Sequence, residues 1–169
     1  MEYKVIKSRR KTISLEISRD AEVIVRAPYG TKDKFIEEFV NSHKSWIEKH
    51  LNGRLKKAEM FKFAEENSQA LKEAAREYIF KRAEEFAKIM NVKYNGIKIT
   101  SAKTRFGSCS GKNSLCFSYI LMLYPKEAID YVIVHELAHT VEHNHSKRFY
   151  KIIETYLPDY KQRERMLKK

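Results

Sequence analysis

The run Tyr131 to Tyr150, YVIVHELAHTVEHNHSKRFY, holds four of the six histidines of the chain: His135, His139, His143 and His145. His135 and His139 are four residues apart, so on a helix they project from one face and both imidazoles can reach a single tetrahedral Zn²⁺. The pattern is H-E-x-x-H. Glu136 follows the first histidine and is placed to reach a water beside the metal rather than the metal, as a general base for hydrolysis must be. Ile129, Val132, Ile133, Leu137, Ala138 and Val141 recur with helical period around the motif, which predicts that it stands on a buried helix beginning near Lys126, after Pro125.

A catalytic zinc keeps three protein ligands and one open position. His143 continues the face of His135 and His139, but three ligands on one straight helix lie along a line of about 12 Å, too long for one ion. His145 follows Asn144, a residue that tolerates the left-handed conformation at helix ends, so a turn there can bring its imidazole back. His145 is therefore the favoured third ligand, with Glu154 as the alternative. Ser146 can cap a last helix whose apolar face collects Phe149, Ile152, Ile153 and Tyr156 before Pro158.

These residues need a scaffold. Residues 3–28 read as β structure, with Ile13, Leu15 and Ile17 and then Val23, Val25 and Ala27 alternating around a break at Arg19, Asp20 and Ala21, and Tyr3 to Lys7 as a further strand. After Pro28 and Gly30, Thr31 can cap a helix with Phe35, Ile36, Phe39, Val40, Trp46, Ile47 and Leu51 on its apolar face and Asn52–Gly53 as a stop. Residues 52–66 read as a connector or exposed helix. Ser68 opens a strong helical pattern ending at Asn91. Strands follow from Val92 to Ile120, with Gly96, Gly107 and Gly111 as turn markers and Leu115, Phe117 and Tyr119 alternating with Cys116, Ser118 and Ile120.

The motifs SRRKTISLEIS and VIVRAP near the N-terminus, SWIEKHL, RFGSCS at Arg105 to Ser110, the histidine run and PDY at Pro158 to Tyr160 together resemble the YgjP-like metallopeptidase domain, a relative of SprT-like and other minimal zincins. The resemblance spans essentially the whole chain. It implies His135, His139 and His145 as zinc ligands and Glu136 as catalytic base, in agreement with the spacing. Phe106 stands where that family more often has tryptophan, and Tyr150 where Phe-Trp is common. The metzincin pattern has the same spacing to a third histidine but a glycine where this chain has Glu142.

The fold expected is α+β and zincin-like: an N-terminal antiparallel β layer with helices over residues 1–55, and a catalytic core over 67–169 with a mixed sheet and the HExxH helix, making one domain of 1–169. Arg105 is a candidate for binding a substrate carboxylate, phosphate or oxyanion, with a structural salt bridge as the alternative. Cys109 as a nucleophile, and Tyr119 or Tyr150 as donors to a tetrahedral intermediate, are weaker candidates than their packing roles.

Composition narrows the class. Hydrophobic residues at 43% with five Gly and three Pro fit a globular chain rather than a disordered or fibrous one. The longest nearly apolar stretch, Cys116 to Tyr124, is too short to span a membrane. The basic N-terminus lacks an apolar signal core, and Cys109 and Cys116 are too few for a disulfide framework, so the expectation is a cytoplasmic protein with free thiols. The 34 Lys and Arg against 22 Asp and Glu give a net charge of +12, attractive to phosphates or acidic partners. The expected activity is that of a zinc-dependent peptidase acting on a peptide or protein, with an extended substrate adding to the strand edge around Leu115 to Ile120. The resemblance leaves open hydrolysis of UTP to release pyrophosphate, and the basic charge leaves open a non-catalytic module that binds nucleic acid. Oligomeric state is not legible.

Overall fold

A computed structural model describes residues 1–18 and 21–168 of the chain, which divides into two compact units, Met1–Met60 and Phe61–Lys169. In the first, β1 (Lys4–Ser8), β2 (Ser14–Ile17) and β3 (Val23–Pro28) form a sheet in the order β1-β3-β2. β2 and β3 are antiparallel as the alternation predicts, whereas β1 joins β3 in parallel, so the layer is mixed rather than antiparallel. The expected break falls between β2 and β3; Ala21 there is left-handed at φ 62°, and Arg19 and Asp20 lie outside the described residues.

Helix α1 (Asp33–Ser42) sets Ile36 and Val40 onto this sheet, and Ile47 completes a core with Val23, Val25 and Ala27. The helical run expected from Thr31 to Leu51 is instead two helices. The Ser42 hydroxyl and the His43 ring both bond the Phe39 carbonyl, at 2.8 Å each, and this local competition ends α1 at His43. Phe35 and Trp46, assigned to the apolar face, are 53% and 41% exposed. Lys32, not Thr31, occupies the N-cap, without a side-chain hydrogen bond. Helix α2 (Lys44–Glu66) runs straight through Asn52 and Gly53, because strong helix formers follow them and nothing demands a left-handed residue there. Residues 52–59 are exposed along it, as an exposed helix requires.

In the second unit, α3 (Ser68–Met90) ends at left-handed Asn91, at φ 51°, where the sequence places its stop. It buries Ala75, Ile79, Ala83, Phe86, Ala87 and Met90. Strands β4 (Gly96–Thr100), β5 (Gly107–Cys109) and β6 (Ser114–Ser118) form a sheet in the order β4-β6-β5, with β4 parallel and β5 antiparallel to β6. Gly107 pairs with Phe117 inside β5 rather than marking a turn; the β5–β6 turn holds Gly111 and left-handed Asn113. The alternation after β6 does not continue as strand. Ser118 Oγ donates to the Ala102 carbonyl at 2.7 Å and accepts from Ile120 N at 3.3 Å, which starts a 3₁₀ turn at Tyr119–Leu123.

Helix α4 (Lys126–Ala138) follows Pro125 and is buried on nearly all sides, from Ala128 through Val134 and on to Ala138. It packs against α3, β5, α5 (Lys147–Tyr156) and α6 (Tyr160–Met166). Each of its fully buried Ile133, Leu137 and Ile129 side chains contributes about 1.5–3 kcal/mol. Arg82 of α3 grips Asp130 of α4 through Nε at 3.0 Å and Nη2 at 2.6 Å, and the Tyr78 hydroxyl donates to the same carboxylate at 3.2 Å. That forked pair fixes the rotation of the motif helix against α3. Among the described residues no helix is long and apolar enough to cross a membrane.

Candidate active site

Helix α4 stops at Ala138, with His139 as its C-cap, earlier than the turn expected near Asn144. Thr140 N bonds the Leu137 carbonyl at 3.0 Å, and Val141 N and Glu142 N both bond that of Ala138, so the chain leaves the helix axis immediately after the second motif histidine. Asn144 is not left-handed. The early stop removes His143 from the helical line and leaves six residues to swing His145 back over α4. Ser146 then caps α5, its Oγ accepting from Phe149 N at 3.3 Å.

The result is a cluster in which one ligand atom each from His135, His139 and His145 lies within 4.8 Å of the others; it is the one grouping of three such residues among the described residues. The Nε2 atoms of His135 and His145 are 3.1 Å apart, close to the separation of about 3.3 Å that tetrahedral ligation at 2.0–2.1 Å gives two nitrogens. His139 donates from Nδ1 to the Glu142 carbonyl at 3.1 Å, which leaves Nε2 unprotonated and directed into the cluster. The Tyr131 hydroxyl lies 3.5 Å from His135 Nδ1, one helical turn earlier, where it can accept that N–H. Burial first, then the neighbouring imidazoles, lowers the pKa of His135 to about 3, so the ring is neutral as a metal ligand requires. The donor set and its tautomers fit Zn²⁺.

Phe149 is the floor of the cluster. Fully buried, its ring stacks on His139 at 4.4 Å and meets His135 and His145 edge-on at 4.8 Å each. The sequence marks it only as part of an apolar face. Glu154, the alternative ligand, sits on the exposed side of α5 and pairs with Lys151 at 3.6 Å. His143 is exposed and lines the same pocket as the three clustered rings.

Glu136 is 5% exposed, and burial raises its pKa to about 8 against the opposing pull of Arg105. Gly107 presses on it from β5: a Cβ there would lie 2.6 Å from Glu136 Oε1 and 2.7 Å from Cγ. This contact was missed in the sequence, where the small residue in RFGSCS reads as a turn. Arg105 is exposed in the β4–β5 loop and acts on Glu136 through its charge. Cys109 lines the histidine pocket, but burial and Glu136 raise its pKa, the wrong direction for a nucleophile. Tyr119 is buried in the 3₁₀ turn, and Tyr150 stacks on Tyr160 at 6.1 Å, so both pack.

The free sheet edge beside this site is β5, not the Leu115–Ile120 segment, since β6 is the central strand. Phe106 O accepts from Ser118 N and Ser110 N donates to Ser114 O, so residues 106, 108 and 110 bond toward β6. By alternation the backbone groups of Gly107 and Cys109 point to the open edge.

An HExxH helix, a returning third histidine and a flanking sheet edge define a metal-dependent hydrolase domain. Residues 11–69 and 54–169 match the YgjP-like metallopeptidase domain, and the chain belongs to that family. No curated protein matches the sequence. Two crystal structures of metallopeptidase zymogens are similar: Pyrococcus abyssi abylysin, at 21% identity and TM-score 0.49 over 53% of this chain and 90% of that one, and Methanocaldococcus jannaschii jannalysin, at 24% and 0.46 over 53% and 91%.

Proposed function

We propose that this protein is a zinc-dependent peptidase in which His135, His139 and His145 hold the metal and Glu136 is the general base. The observation that carries the reading is the convergence of three imidazole nitrogens within 4.8 Å beside a buried glutamate. Zinc held there would supply a Lewis acid that polarises the scissile carbonyl and acidifies water. Glu136 takes the proton of the attacking water and delivers it to the leaving nitrogen; burial, which raises its pKa, makes it a stronger base than an exposed carboxylate. The His139 bond to the Glu142 carbonyl and the Tyr131 hydroxyl near His135 hold the two rings in the tautomer that ligation needs. An extended substrate runs along the open edge of β5, paired with the backbone of Gly107 and Cys109. Arg105, at the rim, binds a substrate carboxylate or steadies charge developing on the carbonyl oxygen.

The test compares zinc-loaded wild type with Glu136→Gln on an unfolded protein substrate and, in parallel, on UTP. Peptide-bond hydrolysis that falls at least about 10²-fold in the variant supports the reading. Pyrophosphate release from UTP that depends on Glu136, with no peptide cleavage, replaces it with the nucleotide reading.

A further inference from the structure

On the other side of Glu136 from the histidine pocket is a second cavity of about 290 Å³, lined by Phe106, Gly107, Tyr131, Val132 and, from the C-terminal segment, Glu164, Leu167 and Lys168. His135 and Glu136 border both cavities. We infer that this cavity receives an uncharged apolar side chain of a peptide substrate, from the residue on the amine side of the scissile bond, and that Leu167 sets the size it accepts. The inference rests on the peptidase reading of the neighbouring site.

The first argument is chemical. Phe106, Val132, Leu167 and the Tyr131 ring make most of the wall apolar, and the two charged residues at the rim neutralise each other, Lys168 Nζ lying 2.8 Å or less from its partner: the bond to Glu164 Oε1 is 2.7 Å. An acidic group entering here meets the carboxylates of Glu136 and Glu164, and its one nearby cation is already paired. A charged side chain would lose water without gaining a counter-charge. The volume lies at the small end of ligand pockets, room for one side chain rather than for a nucleotide.

The second argument is positional. Glu136 must stand beside the leaving nitrogen to deliver a proton to it, so the residue that carries this nitrogen begins next to Glu136 and its side chain has this cavity within reach. The far wall is held in place: Tyr160, at the start of α6, stacks between Tyr131 at 6.5 Å and Tyr150 at 6.1 Å. Through that stack α6 carries Glu164 and Leu167 to the mouth of the cavity. Leu167 is partly exposed and touches neither the histidine cluster nor any proposed reacting group, so it can be changed without disturbing them.

The experiment uses the full chain, zinc-loaded and carrying Glu136→Gln, and measures binding of capped peptides Ac-Ala-Ala-Ala-X-Ala-Ala-NH₂ with X as Leu, Phe, Ala, Asp or Lys. Leu and Phe are expected to bind about 10-fold or more tighter than Ala, with Asp and Lys weakest. Adding Leu167→Trp should bring the Leu-to-Ala ratio close to one, and Leu167→Ala should shift the preference toward Phe. A preference that neither substitution moves, no preference, or no peptide binding overturns the inference. Cleavage of the same peptides by the wild type is read alongside: a Leu167-dependent binding preference without cleavage sinks the peptidase reading while the pocket stands, and cleavage with a preference indifferent to Leu167 does the reverse.

Discussion

Gly107 and Glu136 touch across the β5–α4 boundary so closely that no side chain fits between them: a Cβ on Gly107 would fall 2.6 Å from Oε1, 2.7 Å from Cγ and 2.9 Å from Cδ of the glutamate. Gly107 does not have a positive φ, so alanine meets no backbone strain there and the whole effect of Gly107→Ala is on Glu136. The glutamate is buried and cannot step aside cheaply. Gly107→Ala should lower kcat by about 10²-fold or more, as misplacement of a catalytic group by about 1 Å does, and cost about 1–3 kcal/mol of stability. Zinc content should be unchanged. Full activity in the variant would show that Glu136 can work from a displaced position.

His145 and His143 are two residues apart, yet only His145 has its ligand atom among the three that converge. Metal content by mass spectrometry should give about one zinc per chain for the wild type, a similar value for His143→Ala, and little retained zinc after dialysis for His145→Ala. Retention in His145→Ala with loss in His143→Ala would reassign the third ligand.

Phe149 carries the three imidazoles on its ring, which makes it a positioning residue for the metal. Phe149→Leu keeps an apolar side chain but loses the flat surface, and should cost about 1–1.5 kcal/mol by denaturant titration together with weaker zinc binding. Phe149→Trp, if accommodated, should recover zinc affinity better than leucine does. Equal zinc affinity in wild type and Phe149→Leu would reduce the residue to core packing.

What the sequence made legible was what short-range spacing encodes. The four-residue step from His135 to His139, the Ser146 cap, the Asn91 stop and the helix after Pro125 each depend on contacts within a turn or two. Where the reading failed, the deciding contact came from elsewhere in the chain or from an unexpected local competitor. Ser118 ends its strand because its hydroxyl finds Ala102, sixteen residues away. Gly107 reads as a turn because its reason for being small is a glutamate twenty-nine positions later. The Leu115–Ile120 edge proved to be the middle of a sheet, since strand order depends on pairing that alternation does not specify. His145 was chosen rightly as a member of the cluster, but by way of a left-handed Asn144 that does not exist; the chain turns at Ala138 instead. The two-part tie of Ser42 and His43 to one carbonyl could have been suspected from their types, though not that it would split the helix.

The Arg82–Asp130 pair is the main polar brace between α3 and the motif helix. Asp130 raises the pKa of the Arg82 guanidinium further above its already high ordinary value, chiefly through the hydrogen bond, so the pair is charged throughout the working pH range. Asp130 is 8% exposed while Arg82 is open on one side. Water can therefore reach the arginine when its partner is removed, which places Asp130→Ala below the 3–5 kcal/mol of a fully buried broken pair, at about 2–3 kcal/mol. Asp130→Asn, which keeps an acceptor for Tyr78 and Arg82, should cost less than alanine. Urea titration of the two variants checks the order, and equal costs would mean that packing of α4, rather than the fork, holds it in place.

Ser146 links helix stability to metal affinity, because it caps α5 one residue after His145 and two turns of hydrogen bonding start from it. Its Oγ accepts from Phe149 N, the backbone of the residue on which the three imidazoles rest. Ser146→Ala should cost about 1 kcal/mol of stability, the ordinary value of an N-cap. If the cap also holds His145 in register, the zinc dissociation constant should rise in Ser146→Ala and return toward the wild-type value in Ser146→Asp, which restores the acceptor. A competition titration against a chelator of known affinity reads this directly. A melting temperature that falls in the alanine variant while zinc affinity stays constant would separate the two roles, leaving the cap to the helix and the placement of His145 to the turn that begins at Ala138.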